Sequence, residues 1–293
     1  MSTQPHNQPR TKLDSVSFDR FVQDHQPLTN GDGRLDLTGV TLITPGALVP
    51  LAALCHAMAK IGKSPVILTD DDSVRRYLLR SGFMSEVTNV ARLEPHITPA
   101  LALLHSQRQG ANPMLLEVTR IKNGAALPEL LNQIVWVLRY RLKYRKRDAF
   151  DVTTAISEIC QNTFDHNSGT AGLIAMQVYG KGEGRFLEIG VSDDGDGLAV
   201  TLRRNPKNGP MRNDFEAIQK AIELGTSEHD DPTRGTGLYH LLQITYRHKG
   251  SVQIRSGRSK VRYRMDRQAG WGFSVAPTPG VHVALMLPSK AAA

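Results

Sequence analysis

Hydrophobic positions along this chain switch between a period of two and a helical period, and the switches predict its elements. Segments 34–37 (RLDL) and 40–44 (VTLIT) are short, alternating and β-branched, the pattern of strands. Pro45 and Gly46 then open an apolar helix to about Ile61, with proline where a missing N–H is tolerated. Gly62 closes that helix, and 65–69 (PVILT) reads as the next buried strand. Ser73 is placed to cap a short helix over 74–80, which Gly82 ends. Alternating strands and helices over 13–109 predict a small α/β unit, a sheet with helices on one face. Thr44, just before Pro45, is expected to cap the long helix.

The segment 105–113 is polar and reads as a linker. Apolar residues then recur at helical spacing from Leu127 to Leu142, which predicts a core-facing helix over 127–144. Beyond it the pattern predicts a helix over 151–166, strands at 172–179 and 185–192, and an irregular stretch over 193–212. A helix at 213–224, a polar loop at 225–236, a helix at 237–248 and strands at 251–256, 260–265 and 281–287 follow. The GKGEG segment at 180–184 joins two alternating strands as a hairpin. Helices against a largely antiparallel sheet make an α+β layer.

Composition narrows the class. At 40% hydrophobic with both charge signs mixed, the chain is expected to pack a water-soluble core. No apolar run reaches the roughly 18 residues of a membrane helix, so no membrane partner is expected. Residues 1–12 are polar, lack a secretory core and read as a frayed tail. Cys55 and Cys160 lie among apolar neighbours in predicted helices, where buried free thiols are expected, and the chain reads as cytoplasmic. A net charge of +8 is compatible with nucleic acid without requiring it. The basic residues concentrate over 139–147 and 255–267, and the first run reads as a solvated helix face.

Three polar motifs carry the chemistry. In the first, Glu158, Asn162, Asp165 and His166 share one face of the predicted helix, while Ile156, Ile159, Cys160 and Phe164 face the core. An Asn oxygen there suits Mg²⁺, and a carboxylate one turn earlier can orient or deprotonate a nucleophile. In the second, Asp193-x-Gly195-x-Gly197 ends a strand. Its first Asp can accept from an exocyclic amine, its glycines allow a close backbone approach, and Asp194 and Asp196 read as solvated turn residues. In the third, Arg234-Gly235-Thr236-Gly237-Leu238 opens a helix whose N–H groups suit phosphate. The polar loop before it, with Thr226 and Ser227, is long enough to cover a nucleotide.

In this order the motifs resemble the Bergerat-type ATP-binding domain of the GHKL superfamily, which includes gyrase, histidine kinases and anti-sigma kinases. The likeness spans about 115–288. It implies Glu158 as catalytic base and Asn162 as magnesium ligand. It further implies Asp193 as adenine reader, Gly195 and Gly197 in the base pocket, and Gly235 and Gly237 at the phosphates. Val281 stands where that family's last strand usually carries Thr. Residues 35–83 are similar to a STAS-type domain, the fold of anti-anti-sigma factors. Thr44-Pro45-Gly46 replaces that family's Asp-Ser turn and leaves Thr44 as the one phosphorylation candidate.

The implied fold class is a two-domain α/β chain, an N-terminal STAS-like domain followed by a Bergerat-fold α+β sandwich. The implied function is ATP- and Mg²⁺-dependent regulation, by hydrolysis or by phosphorylating a protein partner of the sigma-factor or STAS type, with a homodimer as an option. A non-catalytic ATP-gated binder is the alternative, and a nucleic-acid-associated ATPase the third reading. No phosphoacceptor histidine box precedes the second domain.

Overall fold

The computed structural model describes residues 11–29, 32–96, 98, 115–165, 172–226, 235–264 and 270–290. The first half runs β1 (Thr11–Leu13), α1 (Phe18–His25), β2 (Arg34–Asp36), β3 (Val40–Ile43) and α2 (Pro45–Lys60). It continues with β4 (Val66–Leu68), α3 (Asp72–Arg80), α4 (Phe83–Val87) and β5 (Arg92–Glu94). The second half opens with β6 (Leu115–Ile121), α5 (Leu127–Trp136) and α6 (Lys146–Asp165). The hairpin β7 (Gly172–Tyr179) and β8 (Phe186–Ser192) leads to α7 (Leu198–Arg203), α8 (Asp214–Ala221) and α9 (Gly237–Arg247). Two long strands, β9 (Ser251–Arg264) and β10 (Trp271–Pro288), complete a mixed α/β fold.

The second half is built on a five-stranded antiparallel sheet in the order β6-β7-β8-β10-β9. Strand period sorts its residues between two faces. Leu187, Ile189 and Val191 of β8 and Val283, Leu285 and Leu287 of β10 join the core under α6 and α9. From β7, Leu173 and Ala175 point the other way and join the core of the first half. That second core centres on α2, thirteen of whose sixteen residues are buried, as expected of a helix apolar on all sides. Gly190 lets α2 reach the sheet, for a Cβ there would overlap the Pro45 carbonyl. The short strands β2, β4 and β5 form a parallel sheet around the buried Leu35, Ile67 and Leu93.

Several local expectations are corrected. Residues 11–13 form a strand parallel to β3 rather than continuing a tail, and β3 thereby lies in a different sheet from β2. Asp71, not Ser73, caps α3, accepting from the N–H groups of Ser73 and Val74. Thr44 occupies the N-cap position of α2 but makes no side-chain cap bond. Its hydroxyl donates to Glu188 Oε1 at 2.7 Å, and the same oxygen accepts from the Gly46 N–H at 3.0 Å. The capping carboxylate thus comes from β8, and Thr44, 1% exposed, is closed to modification. The predicted helix over 127–144 stops at Trp136 and passes into a π-helical turn, Val137–Arg141, with Lys143 left-handed beyond it.

The stretch 193–212 contains α7 and a 3-10 turn, Pro206–Asn208, because Gly197 starts a helix too short to show a period. The predicted strands at 251–256 and 260–265 are one strand, and β10 begins ten residues before 281, since the two pair beyond the irregularity opposite Gly257. Cys55 and Cys160 are buried free thiols. The tail residues 1–10 and the linker call at 105–113 lie outside the described residues. Among those described, no helix is long and apolar enough to cross a membrane.

Candidate functional site

Helix α6 presents its residues as the spacing predicts: Ile156, Ile159 and Cys160 are buried, Glu158 is half-buried and Asn162 exposed. Glu158 is tied to the third motif. Its Oε2 accepts from Thr236 Oγ1 at 2.5 Å, and its Oε1 lies 3.7 Å from His240 Nδ1. Gly237 permits this approach, because a Cβ there would stand 2.9 Å from Glu158 Cβ. Gly235 is left-handed, with φ near 78°, and its carbonyl accepts from the Gly225 N–H at 3.1 Å.

The second motif is pinned to the last strand. Asp193 is 5% exposed, and its N–H donates to the Val281 carbonyl at 3.1 Å. Its Oδ1 accepts from the Gly195 N–H at 2.9 Å, an Asx turn. Gly280 donates to the Gly195 carbonyl at 2.7 Å; its φ is positive, and only its missing Cβ avoids the Asp193 carbonyl. Gly197 starts α7, where the Leu198 N–H donates to Ser256 Oγ at 2.9 Å. Asp194 is not the solvated residue expected. Its carboxylate is buried and pairs with Lys60 Nζ, 2.7 Å away at the end of α2. Asp196 remains half-exposed and pairs with Arg204.

These elements surround one cavity of about 790 Å³, counting its open mouth. Asn162, Asp193, Gly197, Gly235, Gly237 and Leu238, drawn from all three motifs, line it together with Thr226 of the loop before the third. Gly195 stands one hydrogen bond behind that lining, on Asp193, while Thr236 and Glu158 lie outside it and are bonded to each other. Val191, Leu198, Leu202, Ala221, Val281 and Val283 supply an apolar wall, and Thr201 a hydroxyl. A concave apolar site with a few convergent polar groups is the usual form of a small-molecule pocket. Sequence reading missed Thr201 and Ser256 as well as most of the wall. The alternation of β8 and the final strand marks Val191 and Val283 as inward, but only the pairing of the strands brings them to Asp193.

Ser227, Arg234 and His166 lie outside the described residues, as does the side chain of Asp165, whose backbone ends α6. Among the described residues no three His, Cys, Asp or Glu converge to hold a metal. No protein-family model matches the chain, and no curated protein is similar to it.

Proposed function

We propose that this chain is an ATP-binding regulatory protein of the GHKL kind, its Bergerat-like second half carrying a STAS-like N-terminal layer. One observation carries the reading: three motifs distant in sequence line a single cavity, the first through Asn162, the second through Asp193 and Gly197, the third through Gly235, Gly237 and Leu238. The buried Asp193 carboxylate, at the end of β8, suits the exocyclic amine of adenine, and the apolar wall suits the flat base. The start of α9 at Gly237 offers backbone N–H groups where the helix dipole favours phosphate.

Magnesium fits the donor set if it arrives on the nucleotide, with Asn162 as the protein ligand. It would supply charge neutralisation at the phosphates. Glu158 sits beside the phosphate end of the site, its carboxylate oriented by Thr236. A carboxylate so held accepts a proton from water, which gives hydrolysis, or from a partner's hydroxyl, which gives phosphotransfer. Lys60 supports the regulatory half of the reading. The last residue of α2 grips the loop that would hold the base, so a partner that shifts the N-terminal layer reaches the nucleotide through one ion pair. That partner would be a sigma-factor- or STAS-type protein in the cytoplasm.

Calorimetric titration of ATP and GTP with magnesium tests the site. Asp193→Asn should weaken ATP at least tenfold and remove the preference over GTP; unchanged ATP affinity would sink the assignment. Phosphate release, alone or with a protein acceptor, should fall by a factor of about 10² or more in Glu158→Ala. Equal rates in that variant would leave a non-catalytic ATP-gated binder.

A further inference from the structure

The basic run that begins at Arg139 does not form the solvated helix face its sequence suggests. From the last residue of the π-helical turn the chain alternates: Arg141, Lys143 and Arg145 are exposed, while Leu142 and Tyr144 between them are buried. Lys146 and Arg147 then open α6, also exposed. Among the described residues none of these five cations pairs with a carboxylate. Three of them, Arg145 to Arg147, crowd the positive end of a twenty-residue helix, where cations raise the energy and an anion would lower it. Aromatic rings are interleaved with them. Tyr140 is 60% and Phe150 49% exposed, Arg141 lies over the Trp136 ring at 4.9 Å, and Lys146 lies over Phe150 at 5.9 Å.

The turn continues into a groove. Tyr144 donates to the Pro288 carbonyl at 3.0 Å, and the Lys290 N–H donates to Leu142 at 2.8 Å. Pro288 lines a groove of about 820 Å³, counting its open side, whose charged residues are Lys249, Arg262 and Arg264. Phe186 lies in the same wall, and among the described residues no carboxylate does. Turn and groove make one track of cations punctuated by aromatic faces, away from the cavity of the three motifs.

We propose that this track binds single-stranded nucleic acid, with the cations following the phosphates and the exposed rings stacking on unpaired bases. A duplex leaves no base face free for Tyr140 or Phe150. A flat bilayer cannot enter the concave groove, and the large apolar side chains exposed along the turn are aromatic, with no aliphatic among them.

The test is fluorescence anisotropy of a labelled twenty-residue oligothymidylate with the full chain across a salt series. Binding should weaken steeply with salt, since each neutralised phosphate of a single strand contributes about 0.7 to the log–log slope. The triple variant Lys143→Glu/Arg145→Glu/Arg147→Glu should reduce that slope by about 2 and the affinity by at least about tenfold. Arg20→Glu/Arg34→Glu/Arg76→Glu, with the same change in net charge on the exposed N-terminal surface, should leave both nearly intact. Tyr140→Ala and Phe150→Ala should each weaken the oligonucleotide about fivefold with an unchanged slope, the mark of lost stacking. Absence of saturable binding at low salt would overturn the proposal, as would equal losses in the two triple variants. Equal or tighter binding of a duplex, of poly-glutamate or of phosphatidylserine vesicles would overturn it too. None of these outcomes depends on the ATP site.

Discussion

The two faces of the five-stranded sheet differ in a way that runs against their polarity. One face is apolar through Leu187, Ile189, Val191, Val283, Leu285 and Leu287, yet it is the face left incompletely filled, with the cavity at its edge. The other carries Glu188, Gln253, Arg255, Lys260 and His282, yet α1 and α2 seal it so that all five are buried. Each of these five side chains has at least one polar neighbour, although among the described residues Gln253 Oε1, Arg255 Nε and His282 Nδ1 accept or donate no hydrogen bond. Gln253 donates to Ser15 at 2.6 Å, Arg255 pairs with Asp19 at 3.5 Å, and Lys260 reaches the same carboxylate. Burial, with Arg255 nearby, holds His282 neutral and pushes it down to about 3. The difference teaches that polarity does not mark the open face. Buried polar groups demand partners and so force a close-fitting cover, whereas apolar walls tolerate a void that a ligand can fill.

The largest effect should come from the smallest change on the sealed face. Gly190→Ala puts one methyl against the Pro45 carbonyl, where backbone cannot swing aside. Urea denaturation should show a loss of about 3 kcal/mol, the upper part of the range for overpacking. A change below about 0.5 kcal/mol would mean that α2 floats on the sheet, and the comparison between the faces would fail.

Glu188 gives the next effect. Its carboxylate satisfies both the Thr44 hydroxyl and the Gly46 N–H, so Glu188→Ala should cost about 2 kcal/mol by leaving those donors buried and unpaired. Burial, opposed by those two bonds, raises the Glu188 pKa above its ordinary 4.5. A raised carboxyl contributes stability that is fully present below about pH 4.5 and fades as pH climbs through the raised value. Glu188→Gln should therefore flatten that part of the pH–stability curve. An unaltered curve would show that the carboxyl does not titrate in its buried place.

Legibility in the sequence follows the same division. The places of Glu158, Asn162, Asp193 and Gly237 on their elements were readable because each sits in a short segment whose local pattern states where its helix or strand runs. The partnership of Thr44 with Glu188 was not, for the two are 144 residues apart and only the packing of α2 on β8 joins them. Asp71 and Ser73 are both good caps, and the choice between them rests on two residues of helix boundary that composition does not fix. Of the first-half strands, β2, β3 and β4 were found without their pairing and β1 and β5 were missed, since three- and four-residue strands carry too little pattern to specify a register. The apolar wall of the cavity was visible as strand and helix interior, without any sign that it would be left uncovered.

The smallest stability change tests that wall most directly. Ala221 is 5% exposed and faces the cavity from the end of α8. Leucine there adds three carbons, more than Gly190→Ala adds on the sealed face, but adds them toward empty space. Stability should move by less than about 1 kcal/mol, because the new methyls gain burial without displacing neighbours. Nucleotide affinity, measured by the same calorimetry, should drop at least tenfold for ATP and GTP alike, since the added bulk competes for volume rather than for a hydrogen bond. A loss near 3 kcal/mol would mean the wall is as tightly packed as the face beneath α2. Full stability with full ATP affinity would move the nucleotide out of this cavity. Only a stable protein with weakened binding keeps both the void and its proposed occupant in place.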